Sequence, residues 1–379
     1  MKITADENIA YAKEAFSEFG EVKLLHGREI TPELLRDTDV LIVRSITKVD
    51  KNLLKGTTVK FVGTATIGKD HIDTEYLRKN NIAFADAAGC NAHAVKEYVF
   101  TALAEVLEKK KLRFKDLSTG IIGVGNVGSK VARSANSLGM KTILNDPPLK
   151  RKTGDEKYRE LDDALKADIV TLHVPLNKGG IDKTYHLFDY EKLERLKDDC
   201  ILINSSRGSV IENGALERII DKKNLTVILD VWENEPAISS SLLRKVFIGT
   251  PHIAGYSYEG KVNGTMMIYS ALCRFLNREE SYSVQPLKVD EPVIEVTGGE
   301  SMENTLGKIF KKIYDIKEDD KKLREIIGKE KNEAGKYFDM LRKNYPLRRE
   351  FSNYTVVDPE TGSELTEILP AFRFKASNL

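Results

Sequence analysis

The stretch Gly120-Ile121-Ile122-Gly123-Val124-Gly125-Asn126-Val127-Gly128 decides how this chain folds. It reads as an apolar strand that runs into a glycine loop and out into a helix. A glycine at 123 permits the tight turn. One at 125 lets the backbone approach a pyrophosphate, and one at 128 lets the helix pack close on the strand. Asn126 and Val127 complete the loop. The helix is expected from Gly128 to about Leu138, with its N-terminus placed to receive phosphate charge. The next apolar run, Lys141–Asn145, ends in Asp146, 18 residues beyond Gly128. An acidic residue there accepts hydrogen bonds from the ribose hydroxyls of a dinucleotide and repels a 2′-phosphate. NAD is therefore expected in preference to NADP, with Lys150 and Arg151 the nearby cations that argue the other way.

Outward from this unit, short apolar runs alternate with helical patterns on both sides, the mark of α/β construction. Ahead of it, strands are expected at Val22–Leu25, Val40–Arg44, Phe61–Thr64 and Ala83–Asp86, with helices at Ala10–Phe19, after Thr31-Pro32-Glu33 and at Thr74–Asn80. Beyond it come strands at Ile169–His173, Ile201–Asn204, Val227–Leu229 and Phe247–Gly249. Two long helices are predicted, one from about Ala92 to Lys110 and one from near Tyr258 towards Leu276. The expected architecture is two Rossmann-like or flavodoxin-like lobes with a cleft between them. A substrate-binding domain would span 1–92, completed by about 258–285, and an NAD-binding domain 93–257. Composition shifts at Gln285-Pro286-Leu287. Residues 286–379, with charged helical patterns at Thr305–Ile316 and Asp319–Leu341, read as a small C-terminal α+β domain too poor in core to stand alone, suited to docking or dimer formation.

Composition narrows the function classes. Among 379 residues, 59 basic and 58 acidic side chains leave a net charge of +1, so no global field points to nucleic acid or a membrane surface. The three cysteines, Cys90, Cys200 and Cys273, lack the spacing of a disulfide framework or a zinc site, and no metal is expected. No apolar run approaches the roughly 20 residues that span a bilayer. Met1–Glu7 has no hydrophobic signal core, and a cytoplasmic location is expected.

Three strand-end segments carry chemistry. Ile203-Asn204-Ser205-Ser206-Arg207-Gly208 places a guanidinium at the carboxyl end of a strand, where ligands bind in open α/β sheets. It can grip a carboxylate through two parallel hydrogen bonds. Thr250-Pro251-His252 places an imidazole, which exchanges protons near neutral pH, on a tight loop. The remaining histidines (His26, His71, His93, His173 and His186) read as structural or exposed, although His173 ends a strand beside the cofactor loop. Asp230-Val231-Trp232-Glu233-Asn234-Glu235-Pro236 offers a carboxylate partner for His252, and residue patterns alone leave Glu233 and Glu235 both open. A cation, a histidine and an acid behind a nicotinamide site are what oxidation of a 2-hydroxy acid requires. Arg44, at the end of its strand, is a candidate phosphate ligand. Arg348 and Arg349 read as a solvated helix end in preference to phosphate ligands across a dimer interface.

Gly123–Gly128, Arg207, the segment Asp230–Pro236 and Pro251-His252-Ile253-Ala254-Gly255-Tyr256 together resemble the D-isomer-specific 2-hydroxyacid dehydrogenase family. In that family the glutamate immediately before the proline pairs with the histidine, which implies Glu235. The resemblance implies Arg207, Glu235 and His252 as the catalytic set and NAD as cofactor. It puts Ser45, Thr66 and Tyr256 on substrate, and Asp146, Ser205, Ser206, Arg207, Asp230 and Gly255 around NAD. Val174 stands where relatives can carry a threonine beside the cofactor, and Ala88 where proline is frequent. Asp6-Glu7-Asn8, Val43–Val49, Phe61–Thr66, Gly89–Ala92 and the tail Leu341–Glu350 resemble one branch of the family. That branch implies a small phosphorylated hydroxy acid as substrate, a homodimer held by the C-terminal domain, and a place in pyridoxal 5′-phosphate biosynthesis. Two other readings stay open: a different dehydrogenase of the same chemistry, such as one acting on 3-phosphoglycerate, and a non-catalytic NAD-sensing binding protein.

Overall fold

A computed structural model describes residues 1–358 and 363–378. The chain divides into two units, one formed by Met1–Asn91 with Ser257–Lys288 and the other by Ala92–Tyr256 with Val289–Leu379.

The first unit is built on a five-stranded sheet of order β2-β1-β3-β4-β5: β1 (Lys2–Asp6), β2 (Glu21–Leu25), β3 (Val40–Val43), β4 (Phe61–Thr64) and β5 (Ala83–Asp86). All pairs are parallel. This is the flavodoxin-like order, whose direction reverses between β1 and β3. Strand β1 lies outside the expected set, because Lys2-Ile3-Thr4-Ala5-Asp6 carries one large apolar side chain although four of its residues are buried. Both faces are covered, as a parallel sheet requires. Phe16, Ile42 and Phe61 pack with Ile268, Tyr269 and Leu272 of the helix Tyr258–Leu276 on one side. Leu35, Val43, Val62 and Leu77 form the core on the other. Gly63 lets that helix come close: a Cβ there would lie 2.5 Å from Ile268 Cγ2. After Thr31 the chain forms only a 3-10 turn at Glu33–Leu35, with Pro32 ahead of it and no side-chain cap. The Thr31 hydroxyl bonds the Glu33 carboxylate instead of capping.

In the second unit a six-stranded sheet has the order β11-β10-β9-β8-β6-β7. Its strands are β6 (Ser118–Ile122), β7 (Lys141–Asn145), β8 (Ile169–Leu172), β9 (Ile201–Asn204), β10 (Thr226–Leu229) and β11 (Ile248–Gly249), again all parallel. The order reverses at β6, so the glycine loop that follows it stands at the topological switch point. The register aligns the strand ends: Ile122 faces Asn145 and Leu172, and Asn204 faces Leu172 and Leu229. Every loop after these strands therefore leaves the same edge of the sheet.

Residues beyond 289 are folded onto this unit. The strands β12 (Val293–Glu295), β13 (Thr355–Asp358) and β14 (Lys375–Asn378) form a small parallel sheet. Helix Met302–Ile313 presents Leu306, Ile309 and Phe310 to a core that it shares with Val99, Leu103 and Val106 of helix Ala92–Lys110. The expected helix at Asp319–Leu341 is two helices, Ile316–Arg324 and Lys331–Lys343, with Gly328 at a φ of +91° between them. The first helix closes at Glu325 in a right-handed conformation, and Gly328 then turns the chain at a φ that glycine adopts without strain.

Candidate active site

The glycine loop has the geometry its sequence predicts. Gly123 takes a φ of +86°, and a Cβ there would meet the His173 carbonyl oxygen at 2.7 Å and Val174 Cγ1 at 2.8 Å. A Cβ on Gly128 would lie 1.9 Å from the Gly123 carbonyl oxygen. Around Gly125 a Cβ would meet nothing within 4 Å. Two of the glycines are thus needed by the fold, and the third keeps a space clear at the start of helix Gly128–Ser137. The fit to a dinucleotide rests on that space and on the Ser205 hydroxyl, which is buried without a hydrogen-bond partner at the end of β9. Asp146 Oδ2 accepts the Val124 amide at 2.7 Å, and Oδ1 caps the following helix through the Leu149 amide at 2.9 Å. A carboxylate has about four acceptor sites, which leaves capacity for ribose hydroxyls. The two cations that argued for NADP are engaged elsewhere: Lys150 with Glu160 at 3.0 Å and Arg151 with Asp182 at 2.7 Å.

Asn204 organises the turn after β9. Its Oδ1 accepts the Ser206 amide and hydroxyl at 3.1 and 2.8 Å, and its Nδ2 donates to the Arg207 carbonyl at 3.0 Å. Arg207 Nη1 donates to the Ser206 carbonyl at 2.8 Å. Gly208 must be a glycine here, since a Cβ would lie 1.9 Å from the Trp232 carbonyl oxygen.

After β10, the buried Asp230 holds the loop that bears His252. Its Oδ1 accepts the Thr250 hydroxyl and the Ile253 amide, both at 2.7 Å, and its Oδ2 accepts the Ala254 amide at 2.9 Å. The His252 amide donates to the Asp230 carbonyl at 2.7 Å, with His252 at a φ of +58°. That left-handed conformation is uncommon for a residue with a Cβ, and the Asp230 bonds are what over-determine it. Burial pushes the Asp230 carboxyl above its ordinary range, against the opposing pull of His252 and the hydrogen bonds it accepts. Gly255 lies in the same turn, between Ala254 and Tyr256.

The two glutamates go to different histidines. Glu235 Oε2 meets His252 Nδ1 at 2.7 Å, and its Oε1 accepts the Trp232 amide at 2.8 Å. Glu233 meets His186 Nε2 at 2.6 Å and accepts the Asn213 amide at 2.8 Å. His186 therefore has a carboxylate partner of its own. Burial alone would raise the Glu235 carboxyl, but His252, the Trp232 amide and Arg342 outweigh it and hold it below the usual carboxylate range. An ionised Glu235 can only accept, so Nδ1 of His252 carries the hydrogen and Nε2 is left to take a proton. His173, at the end of β8, bonds the Thr171 hydroxyl through Nε2 at 3.0 Å, and burial pushes it down to about 3.

In the first unit, Val43 and Thr64 are paired in parallel strands. Arg44 and Ser45 after β3 and Thr66 after β4 thus leave one edge of that sheet. Thr66 Oγ1 donates to the Gly68 carbonyl at 3.1 Å and meets Thr64 Oγ1 at 2.9 Å, and Thr64 Oγ1 also meets His71 Nε2 at 3.0 Å.

Arg348 and Arg349 correct the sequence reading. They are buried, not solvated. Arg348 donates to the Ala254 carbonyl and lies 4.5 Å from the centre of the Tyr314 ring, and Arg349 Nη2 donates to Asn353 Oδ1 at 2.9 Å. Pattern reading missed this because a charge cluster is ordinarily a solvated face, while the Tyr314 ring beside Arg348 and the Asn353 acceptor of Arg349 lie elsewhere along the tail. Among the described residues no cluster of His, Cys, Asp or Glu could hold a metal ion, and no helix is long and apolar enough to cross a membrane.

Residues 104–254 match the family model described as D-isomer specific 2-hydroxyacid dehydrogenase, NAD binding domain. Residues 290–370 match a second model described as a domain of unknown function. The class defined by fold and site is an NAD-dependent dehydrogenase of that kind. The chain is 47% identical over 374 residues to the erythronate-4-phosphate dehydrogenase of Proteus mirabilis, covering 97% of this chain and 98% of that one. It is 45% identical over 377 residues to the enzyme of the same name from Photorhabdus laumondii, covering 99% of each. Among solved structures, an NAD+-bound 3-phosphoglycerate dehydrogenase of Entamoeba histolytica superposes with a TM-score of 0.62 at 26% identity, over 73% of this chain and 95% of that one. The chain belongs to the D-isomer specific 2-hydroxyacid dehydrogenase family, among its erythronate-4-phosphate dehydrogenases.

Proposed function

We propose that this chain catalyses the NAD-dependent oxidation of 4-phospho-D-erythronate to 2-oxo-3-hydroxy-4-phosphobutanoate, a step in pyridoxal 5′-phosphate biosynthesis. The observation that carries the chemistry is the 2.7 Å contact between His252 Nδ1 and Glu235 Oε2, which leaves Nε2 of the imidazole to remove the C2 hydroxyl proton. Its identity with relatives over nearly the whole chain supports the choice of substrate.

The residue roles follow from their chemistry. Arg207 holds the substrate carboxylate and polarises the C2 oxygen. His252 acts as general base, and Glu235 stabilises the imidazolium that forms. Ser45, Thr66 and Tyr256 bind substrate, and Arg44 is the candidate ligand for the phosphate. The loop of Gly123, Gly125, Asn126, Val127 and Gly128 holds the dinucleotide together with Asp146, Val174, Ser205, Ser206, Arg207, Asp230 and Gly255. Bound NAD supplies the acceptor for the C2 hydride. A substrate-binding domain of 1–92 completed by about 258–285, an NAD-binding domain of 93–257 and a dimerisation domain of 286–379 form the working arrangement of a cytoplasmic homodimer.

The test compares initial rates of NADH formation from 4-phospho-D-erythronate and from 3-phosphoglycerate, with NAD and with NADP. Preference for 4-phospho-D-erythronate with NAD supports the reading. A higher kcat/KM for 3-phosphoglycerate, faster turnover with NADP, or NAD binding with no turnover of either acid overturns it. Light scattering of the purified protein tests the homodimer.

A further inference from the structure

Within the second unit, a cavity of about 340 Å³ lies behind the loop that carries His252. Its walls are Pro251, the face of helix Ile316–Arg324 that bears Asp319, and the face of helix Lys331–Lys343 that bears Tyr337 and Met340, with Tyr345 alongside. A space of that size is enough for a small molecule, and the proposed oxidation makes no use of it. Asp319 is only 8% exposed. Its Oδ2 accepts the hydroxyls of Tyr314 at 3.0 Å and Tyr345 at 2.8 Å, while among the described residues its Oδ1 accepts no hydrogen bond. Burial pushes the Asp319 carboxyl above its ordinary range, by more than the two hydroxyls and the charges of Arg348 and Lys322 offset. A second carboxylate, Glu325, stands on the same cavity and accepts the Tyr337 hydroxyl at 2.5 Å. Against these two acids the cavity has the ammonium of Lys322, whose side chain is exposed.

We propose that this cavity is a binding site for a small organic cation, an amine with an apolar body, whose ammonium bonds Asp319 Oδ1 and whose body lies against Tyr337, Tyr345 and Met340. A buried carboxylate without a cation is costly, and a well-placed ammonium offsets that cost through a charge-assisted hydrogen bond. Tyrosine rings attract cations to their faces, and this region already uses that contact: Lys329 Nζ lies 5.6 Å from the centre of the Tyr337 ring and the Arg348 guanidinium 4.5 Å from that of Tyr314. Two carboxylates disfavour an anionic ligand, and a neutral apolar one leaves Oδ1 buried and unpaired. The cavity shares no residue with the proposed NAD and hydroxy-acid sites, yet it adjoins their loop. Pro251 precedes His252, and Tyr345, whose hydroxyl is held by Asp319, packs edge-on against Tyr256 with ring centres 5.7 Å apart. A cation on Asp319 therefore rests on side chains that also support the His252 loop.

The experiment separates charge from shape. Isothermal titration calorimetry of the full-length protein, without NAD or hydroxy acid, compares 2-phenylethylamine with its neutral analogue 2-phenylethanol. Binding is measured without turnover, so its result is independent of the proposed function. The amine should bind at least about tenfold more tightly than the alcohol, as expected of one added hydrogen bond between charged groups. Asp319→Asn keeps an acceptor for the tyrosine hydroxyls and removes the charge, and it should weaken the amine by a similar factor while leaving the alcohol unchanged. Met340→Trp fills the cavity from a side chain that is 38% exposed, so the fold should tolerate it, and it should abolish binding of the amine. No heat of binding for the amine in wild type, equal affinity for amine and alcohol, or undiminished binding of the amine in Asp319→Asn or in Met340→Trp overturns the proposal. If Asp319→Asn fails to fold, the alcohol comparison decides the charge and Met340→Trp decides the place.

Discussion

Replacing Glu235 with glutamine tests the centre of the mechanism. The change keeps the shape of the side chain, the acceptor for the Trp232 amide and the reach to His252 Nδ1. It removes the charge, and it allows the amide NH2 to face Nδ1, which would move the ring hydrogen to Nε2 and block the position that must accept the substrate proton. The magnitude follows from the geometry. Two unit charges about 4 Å apart interact by about 4 kcal/mol at an effective dielectric constant near 20. The side chain of His252 is 34% exposed and that of Glu235 20%, so solvent screening reduces the figure to about 2–3 kcal/mol. At about 1.4 kcal/mol per decade, kcat should fall about 30- to 150-fold, with a further loss from the wrong tautomer. The assay is the initial rate of NADH formation with saturating NAD across a range of pH, for wild type, Glu235→Gln and Glu233→Gln. Glu233→Gln breaks the His186 pair and should leave kcat within about threefold, since its contacts lie outside the proposed proton path. Wild-type kcat in Glu235→Gln, or an equal loss in Glu233→Gln, would refute the assignment.

Three further outcomes are expected. Asp230→Asn turns an acceptor of two loop amides and a hydroxyl into a group that must face at least one of them with a donor. Urea unfolding should show a loss of about 1–3 kcal/mol, with a fall in kcat; unchanged stability removes Asp230 as the anchor of the His252 loop. Gly125→Val and Gly128→Ala should separate cofactor binding from folding. Valine at 125 points into open space, and a Cβ at 128 lies 1.9 Å from a carbonyl oxygen. The first should raise KM for NAD at least about tenfold with an unchanged unfolding midpoint, as expected when a group blocks a pocket that binding requires empty, and the second should lower the midpoint. An unchanged KM for NAD in Gly125→Val would remove the space beside Gly125 from the cofactor site. The third concerns acid stability. His173 is pushed down to about 3 by burial, and His93 to about 3 by burial with Arg373, Lys96 and Lys130. The unfolded chain takes up these protons at a pH of about 6.5, so between 6.5 and about 3 the unfolded state binds more of them and stability falls as pH falls. The slope approaches about 1.4 kcal/mol per pH unit for each histidine; an identical slope in His173→Gln would exclude that residue as a source.

Much of the fold was legible because periodicity is local. The helices Ala92–Lys110 and Tyr258–Leu276 run close to where the sequence places them, since each is a long stretch rich in apolar residues. The strands leading to Gly123, Asp146, Ser205 and Asp230 were legible as buried apolar runs. Strand β1 was not, because its inward residues include Thr4 and Asp6 and give no apolar alternation. In the tail, the charged surface of Ile316–Arg324 and Lys331–Lys343 masks the turn at Gly328, and three short strands there lack any run long enough to stand out.

The candidate catalytic side chains and their order were legible along the chain: glycine spacing, strand-end placement and the motif around His252 are properties of neighbouring residues. Folding alone decided which partner each of them meets. Glu233 and Glu235 are two residues apart and chemically alike, yet the turn at Trp232 sends one to His186 and the other to His252. Arg348 reaches the Ala254 carbonyl across 94 residues of chain, and Arg342 comes to Tyr256 through the packing of a helix onto a distant loop. Such pairings depend on the free energy of burying charged groups where acceptors already wait, and no local pattern records where those acceptors will be.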